Sequence, residues 1–158
     1  MVKKLIVAIL FGSSLVAHVS AATFDTPVWI PYWRKTEGAS STLANLDKLT
    51  QISPFAYELQ ADGSIKNALK AEEEPWTTLL AEARKKKVKV YPSILSYPHT
   101  LTEKKAFLAF ISNKKKRQAH VKEIVALVKK NKFDGIDIDY EAKLAETRPY
   151  FAAFLSEL

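Results

Sequence analysis

A chain of 158 residues, 47% hydrophobic and 26% charged, has the composition of a folded domain and excludes a disordered tail. The lack of cysteine excludes a thiol nucleophile and Cys-ligated zinc, and leaves stability to packing alone. The net charge is +7, but its basic clusters (84–87, 114–117 and 129–130) fall at predicted helix ends, where cations are solvated. With no nucleic-acid motif beside them, they do not point to an anionic polymer as partner.

The first residues read as a Sec-type leader. Lys3 and Lys4 precede an apolar run from Leu5 to Val16, and Val19-Ser20-Ala21 offers small residues for cleavage after Ala21 or Ala22. The run is about 12 residues long, short of the roughly 20 that span a bilayer. The expectation is therefore a leader over residues 1–21, a mature chain from 22 to 158 that is secreted or held in the cell envelope, and a net charge lowered to +5 by loss of the two lysines.

Four segments rich in Val, Ile, Tyr, Phe and Trp follow: Pro27 to Trp33, Ile52 to Leu59, Val88 to Leu95 and Phe133 to Tyr140. Between the first two, Leu43, Leu46 and Leu49 suggest a short helix capped by Ser41 or Thr42. Glu74-Pro75 opens a helix carrying Trp76, Leu79, Leu80 and Ala83. Thr102-Glu103 opens another with Phe107, Phe110 and Ile111, and a further helix runs from His120 to Lys130. A last helical pattern spans Ala145 to Leu158. Strands alternating with helices imply βαβ units, right-handed crossovers and a parallel sheet. The predicted fold is α/β, the first four βα units of an eight-fold (β/α) barrel. Complete barrels need about 250 residues, so the chain reads as a truncated N-terminal half. Unpaired strand edges then predict association or negligible turnover of residues 22–158 alone.

The fourth strand carries the chemistry. Alternation sends Ile136, Ile138 and Tyr140 to one face and Asp137, Asp139 and Glu141 to the other. Carboxylates roughly 7 Å apart along a strand raise one another's pKa when buried. An apolar row would fill the same space without that penalty, so the row marks an acid–base site at the C-terminal mouth of the sheet. A calcium or magnesium site is the rival for such oxygens, but a straight strand lacks the ligand loop those ions favour.

Residues 133–141, Phe-Asp-Gly-Ile-Asp-Ile-Asp-Tyr-Glu, resemble the DxxDxDxE signature of glycoside hydrolase family 18, with acids at Asp134, Asp137, Asp139 and Glu141. The segments WIPYW and ISPFAYELQADGSI are similar to the first two strands of bacterial members, including the spore-germination subgroup. The stretch Ser93-Ile94-Leu95-Ser96 departs from the Ser-x-Gly-Gly turn usual in chitinases. The resemblance thus reaches N-acetylglucosamine-containing glycans generally, and not chitin alone.

The family resemblance implies substrate-assisted retaining hydrolysis without a metal or organic cofactor. Glu141 is then the general acid and base, Asp139 orients the 2-acetamido group, and Asp137 shares a proton with Asp139. Asp134 lies on the other parity and supports the motif structurally. Tyr32, Trp33 and Tyr57 are candidate sugar platforms, since aromatic faces stack on sugar C–H surfaces. Trp29, Trp76, Phe107 and Phe110 are assigned to the core, and His99 and His120 to surface or packing. A non-catalytic carbohydrate-binding relative is the alternative, although lectin-like members usually lose the terminal Glu retained here.

Overall fold

The computed structural model describes residues 24–158, so the expected leader lies outside the described residues. β1 (Pro27–Ile30) is followed by a 3-10 turn (Tyr32–Arg34) and α1 (Lys35–Ala44). β2 (Gln51–Leu59) and β3 (Ile65–Asn67) form a hairpin, then come α2 (Trp76–Lys85), β4 (Lys89–Val90) and β5 (Ser93–Ser96). α3 (Leu101–Ser112) and α4 (Lys114–Asn131) lead to β6 (Asp137–Tyr140), and α5 (Arg148–Glu157) closes the described chain. The sheet order is β1-β2-β5-β6, all parallel, with β4 also parallel to β2 and β3 antiparallel to it. This is the expected α/β half-barrel.

Its core lies between sheet and helices. Ile30, Ile52, Val90 and Ile94 from the strands meet Trp76 and Leu79 of α2, Ile111 of α3, Ile124 of α4 and Phe154 of α5, all essentially inaccessible. α3 begins with a complete capping box: Thr100 Oγ1 accepts from the Glu103 amide and Glu103 accepts from the Thr100 amide. Asn113 caps α4 by accepting from the Lys116 amide.

Several boundaries differ from expectation. β1 stops at Ile30, because Pro31 has no amide to continue a ladder, and the Arg34 amide turns back to the Pro31 carbonyl at 3.1 Å. Pro92 divides the third expected strand into β4 and β5. β6 begins at Asp137 and not Phe133, since Asp134 is drawn aside by its own side-chain bonds, described below. α1 starts at Lys35, and Thr42 is buried within it instead of capping it. The basic cluster 114–117 opens α4, where the helix dipole disfavours cations. Arg117 is compensated by a bidentate pair with Glu157 of α5 (3.1 and 2.9 Å) and donates to the Ile111 carbonyl at 3.0 Å. The β2–β3 hairpin was not expected, although Asp62-Gly63 signals it: Gly63 has φ +94° and lies against the Phe110 ring.

His120 is a packing residue, 2% exposed, stacked on Phe154 and Tyr140, with Nε2 hydrogen-bonded to the Tyr140 hydroxyl. Burial lowers its pKa to about 4. The unfolded chain, with an imidazole titrating near ~6.5, binds that proton more readily. The neutral ring's contribution is therefore complete above about pH 6.5 and is lost as pH falls toward 4, a change of about 3 kcal/mol. Urea unfolding of the wild type and His120→Gln across that window checks this. The stability gap between them should narrow steadily with acidification, and a gap independent of pH would refute it.

Candidate active site

The site is built on β6 by alternation. Tyr140 turns to the helices, where Phe107, Phe151 and Phe154 pack around it with ring centroids 5.8, 6.2 and 5.8 Å away. Ile136 and Ile138 pack against the same core. Asp137 and Asp139 are thereby forced onto the opposite, concave face. Glu141 follows one residue beyond the strand, its amide still donating to the Ser96 carbonyl at 2.8 Å.

Asp137 is held from across the sheet. Ser93 Oγ on β5 donates to Asp137 Oδ2 at 2.6 Å, and Trp29 Nε1 on β1 donates to Ser93 Oγ at 3.1 Å. An indole on β1 can reach a hydroxyl on β5, past β2, because the sheet curls. Asp139 and Glu141 are hydrogen-bonded neighbours at the end of the row. Partial burial, then the hydrogen bond and charge of Glu141, then the charge of Asp137 push Asp139 up to about 6, while Lys143 pulls it down.

Asp134 stands apart from this row. Its carboxylate accepts from Lys89 Nζ at 2.8 Å and from the Val90 amide at 3.0 Å, fastening the segment before β6 to β4. Burial raises its pKa, but the Lys89 and Val90 hydrogen bonds and the Lys89 and Arg84 charges outweigh that and hold it below the usual carboxylate range. Next to it, Gly135 is required by space: a Cβ there would lie 2.5 Å from the Tyr91 ring.

The aromatic residues divide. Tyr32 and Trp33 sit on the 3-10 turn after β1, not at a strand end, and are 52% and 63% exposed. Trp29 joins them edge-on to Trp33 at 5.7 Å and is 43% exposed, which corrects its assignment to the core. Phe55 backs the group from β2. Tyr57 does not take part. A β-bulge between Phe55 and Tyr57 reverses the strand's parity, so that Phe55 pairs with Ser93 but Tyr57 pairs with Ile94. Tyr57 is consequently buried in the core beside Phe133, where desolvation raises its pKa to about 12.

Asp137 and Asp139 are partly buried and Glu141 is exposed. A cavity of about 260 Å³ lies beside the row rather than on it, between Leu59, Gln60, Ser96, Tyr97, His99 and Phe107. None of Asp137, Asp139 and Glu141 lines it. Among the described residues no cluster of His, Asp and Glu suited to a metal ion occurs.

Residues 28–158 match the family model described as Glycosyl hydrolases family 18. No curated protein matches the chain. Among solved structures, the Bacillus cereus spore cortex-lytic enzyme SleL aligns with TM-score 0.68 and 16% identity, covering 83% of this chain and 31% of that one. A chitinase from Bacteroides thetaiotaomicron aligns with TM-score 0.66 and 22% identity, covering 83% and 40%. A chitinase from Cycas revoluta, solved with (GlcNAc)3, gives 0.65 and 24%, covering 84% and 39%. The chain therefore spans 31 to 40% of the length of these structures.

Two substitutions check the supports of the motif. Gly135→Ala should destabilise the fold by about 1–3 kcal/mol through overpacking against Tyr91, with partial recovery in Gly135→Ala/Tyr91→Leu by thermal denaturation. Ser93→Ala removes the only side-chain donor described for Asp137. It should free the Asp137 side chain, read as loss of its single χ1 rotamer in NMR scalar couplings, and an unchanged rotamer would show that the bond does not hold the carboxylate.

Proposed function

The chain belongs to glycosyl hydrolases family 18, and on that footing we propose that it is a glycosidase acting on β-linked N-acetylglucosamine-containing glycans, chitin-like or of the peptidoglycan type. The observation that carries this reading is the acid row on one face of β6, in which partial burial and the neighbouring Glu141 push Asp139 up to about 6. A carboxyl must be protonated to give a proton to a leaving oxygen, and shared charge between neighbours is a way to keep it so. The spore cortex-lytic enzyme and the (GlcNAc)3-bound chitinase among the structural relatives support the substrate class.

The mechanism proposed is substrate-assisted. The 2-acetamido oxygen attacks the anomeric carbon as the glycosidic C–O bond breaks, and Glu141 gives its proton to the departing oxygen. Asp139 receives the acetamido N–H and balances the positive oxazolinium-like intermediate. Asp137, anchored by Ser93, keeps negative charge beside Asp139. Glu141 then takes a proton from the water that opens the intermediate, which restores the starting state with net retention. No cofactor takes part in this scheme. Trp29, Tyr32 and Trp33 offer stacking surfaces for neighbouring sugars. Export through the leader in residues 1–21 places the substrate in the cell envelope or outside the cell.

Exposure of Glu141 favours a second reading for the chain by itself: it binds glycan without turnover, because a solvated carboxyl is a weaker general acid than a desolvated one. A fluorogenic chito-oligosaccharide separates the two. Under the first reading, kcat for Glu141→Gln drops by about 10²- to 10⁴-fold, and kcat/KM of the wild type declines above about pH 6 as Asp139 ionises. Equal rates for wild type and Glu141→Gln would remove Glu141 from the chemistry. Tryptophan-fluorescence binding that weakens in Trp33→Ala, without hydrolysis, would select the second reading.

A further inference from the structure

Immediately after Glu141 the backbone makes a turn that the strand does not demand. Ala142 is left-handed, with φ +52°. That conformation costs a residue with a Cβ about 1–2 kcal/mol and persists only where its surroundings enforce it. The turn sends Lys143 back toward the segment just passed, and its Nζ donates to the Glu141 carbonyl at 2.8 Å. The same ammonium stands over Phe107 of α3 at 5.1 Å, Tyr140 of β6 at 5.4 Å and Phe151 of α5 at 5.9 Å.

A lysine is an expensive way to fill a space between aromatic rings. Its ammonium gives up hydration that one carbonyl and three ring faces only partly replace. A methionine of similar reach would pack there without that penalty. What the cation adds is a positive field at the acid row. Asp139 and Glu141 are the acids that act on Lys143, and Asp139 is acted on by Glu141, Asp137 and Lys143. α3 and α5 turn the uncharged Phe107 and Phe151 toward the ammonium, and the phenol of Tyr140 stays neutral because burial pushes its pKa up.

We propose that Lys143 is a positioning residue for the acid row: it pins the Glu141 backbone through the carbonyl and, by its charge, favours the ionised form of Asp139. The assignment rests on the glycosidase reading of that row. Burial lowers the pKa of Lys143 itself to about 8, against the pull of Asp139 and Glu141. The ammonium is therefore charged throughout the range in which Asp139 titrates. Its presence favours the ionised Asp139, so its removal must move that midpoint upward.

The test is a carboxyl-carbon NMR titration of the full chain as wild type, Lys143→Met and Lys143→Arg. The Asp139 midpoint should rise by about half a pH unit or more in Lys143→Met and return toward the wild-type value in Lys143→Arg. The alkaline limb of kcat/KM should move the same way, with KM changed by less than about twofold. A folded Lys143→Met chain with an unmoved midpoint overturns the proposal. Should that variant not fold, Lys143→Gln keeps a donor for the carbonyl without the charge, and the same rise or its absence decides. If the wild type shows no turnover while its carboxyl midpoint still responds to Lys143, the positioning role stands and the glycosidase reading falls.

Discussion

The geometry of the site depends on where Tyr140 goes. A strand offers two faces and no third, so burying one aromatic side chain on β6 decides the direction of every other residue on it. Tyr140 is enclosed by Phe107, Phe151, Phe154 and His120, and its hydroxyl is satisfied by His120. A one-residue slip would expose that ring and drive carboxylates into the helix layer. The aromatic cluster thus fixes the orientation of Asp137 and Asp139 without touching either.

The acids are then tuned from several elements. Asp137 is reached from β5 by Ser93 and, through it, from β1 by Trp29. Among the described residues Asp139 receives no such donor; burial first, then Glu141 as its partner, push its pKa up. Lys143 approaches from the following turn, on a platform contributed by α3 and α5. Sheet, helices and turn each contribute one term to the charge balance at one edge of the sheet, as expected where catalytic groups gather on a (β/α) scaffold.

Much of this was legible in the sequence because it rests on period and composition. The alternation Ile-Asp-Ile-Asp-Tyr-Glu determines the two faces of β6, and the βα order determines the parallel sheet. What escaped was local backbone geometry. Tyr57 belonged with Tyr32 and Trp33 by simple alternation, but the bulge at Ala56 turned it into the core. Trp29 looked like an interior residue of an apolar strand. Its parity with Ser53, opposite Val28 and Ile30, was the available signal that it faces the concave side. Lys143 left no trace in any periodic pattern, because the left-handed residue before it reverses the chain.

The Arg117–Glu157 pair has a mechanical meaning beyond charge compensation. Arg117, 6% exposed, bridges the first turn of α4, the Ile111 carbonyl near the end of α3 and the final turn of α5, segments separated by as many as 40 residues in the chain. Three helices are thereby riveted at one corner, and two of the three rings beneath Lys143, Phe107 and Phe151, come from α3 and α5. The relative spacing of the helices that carry Phe107 and Phe151 is thus constrained by a joint whose residues belong to neither the acid row nor the Lys143 platform. Amide hydrogens in these helices should consequently exchange as one cooperative block and not fray helix by helix.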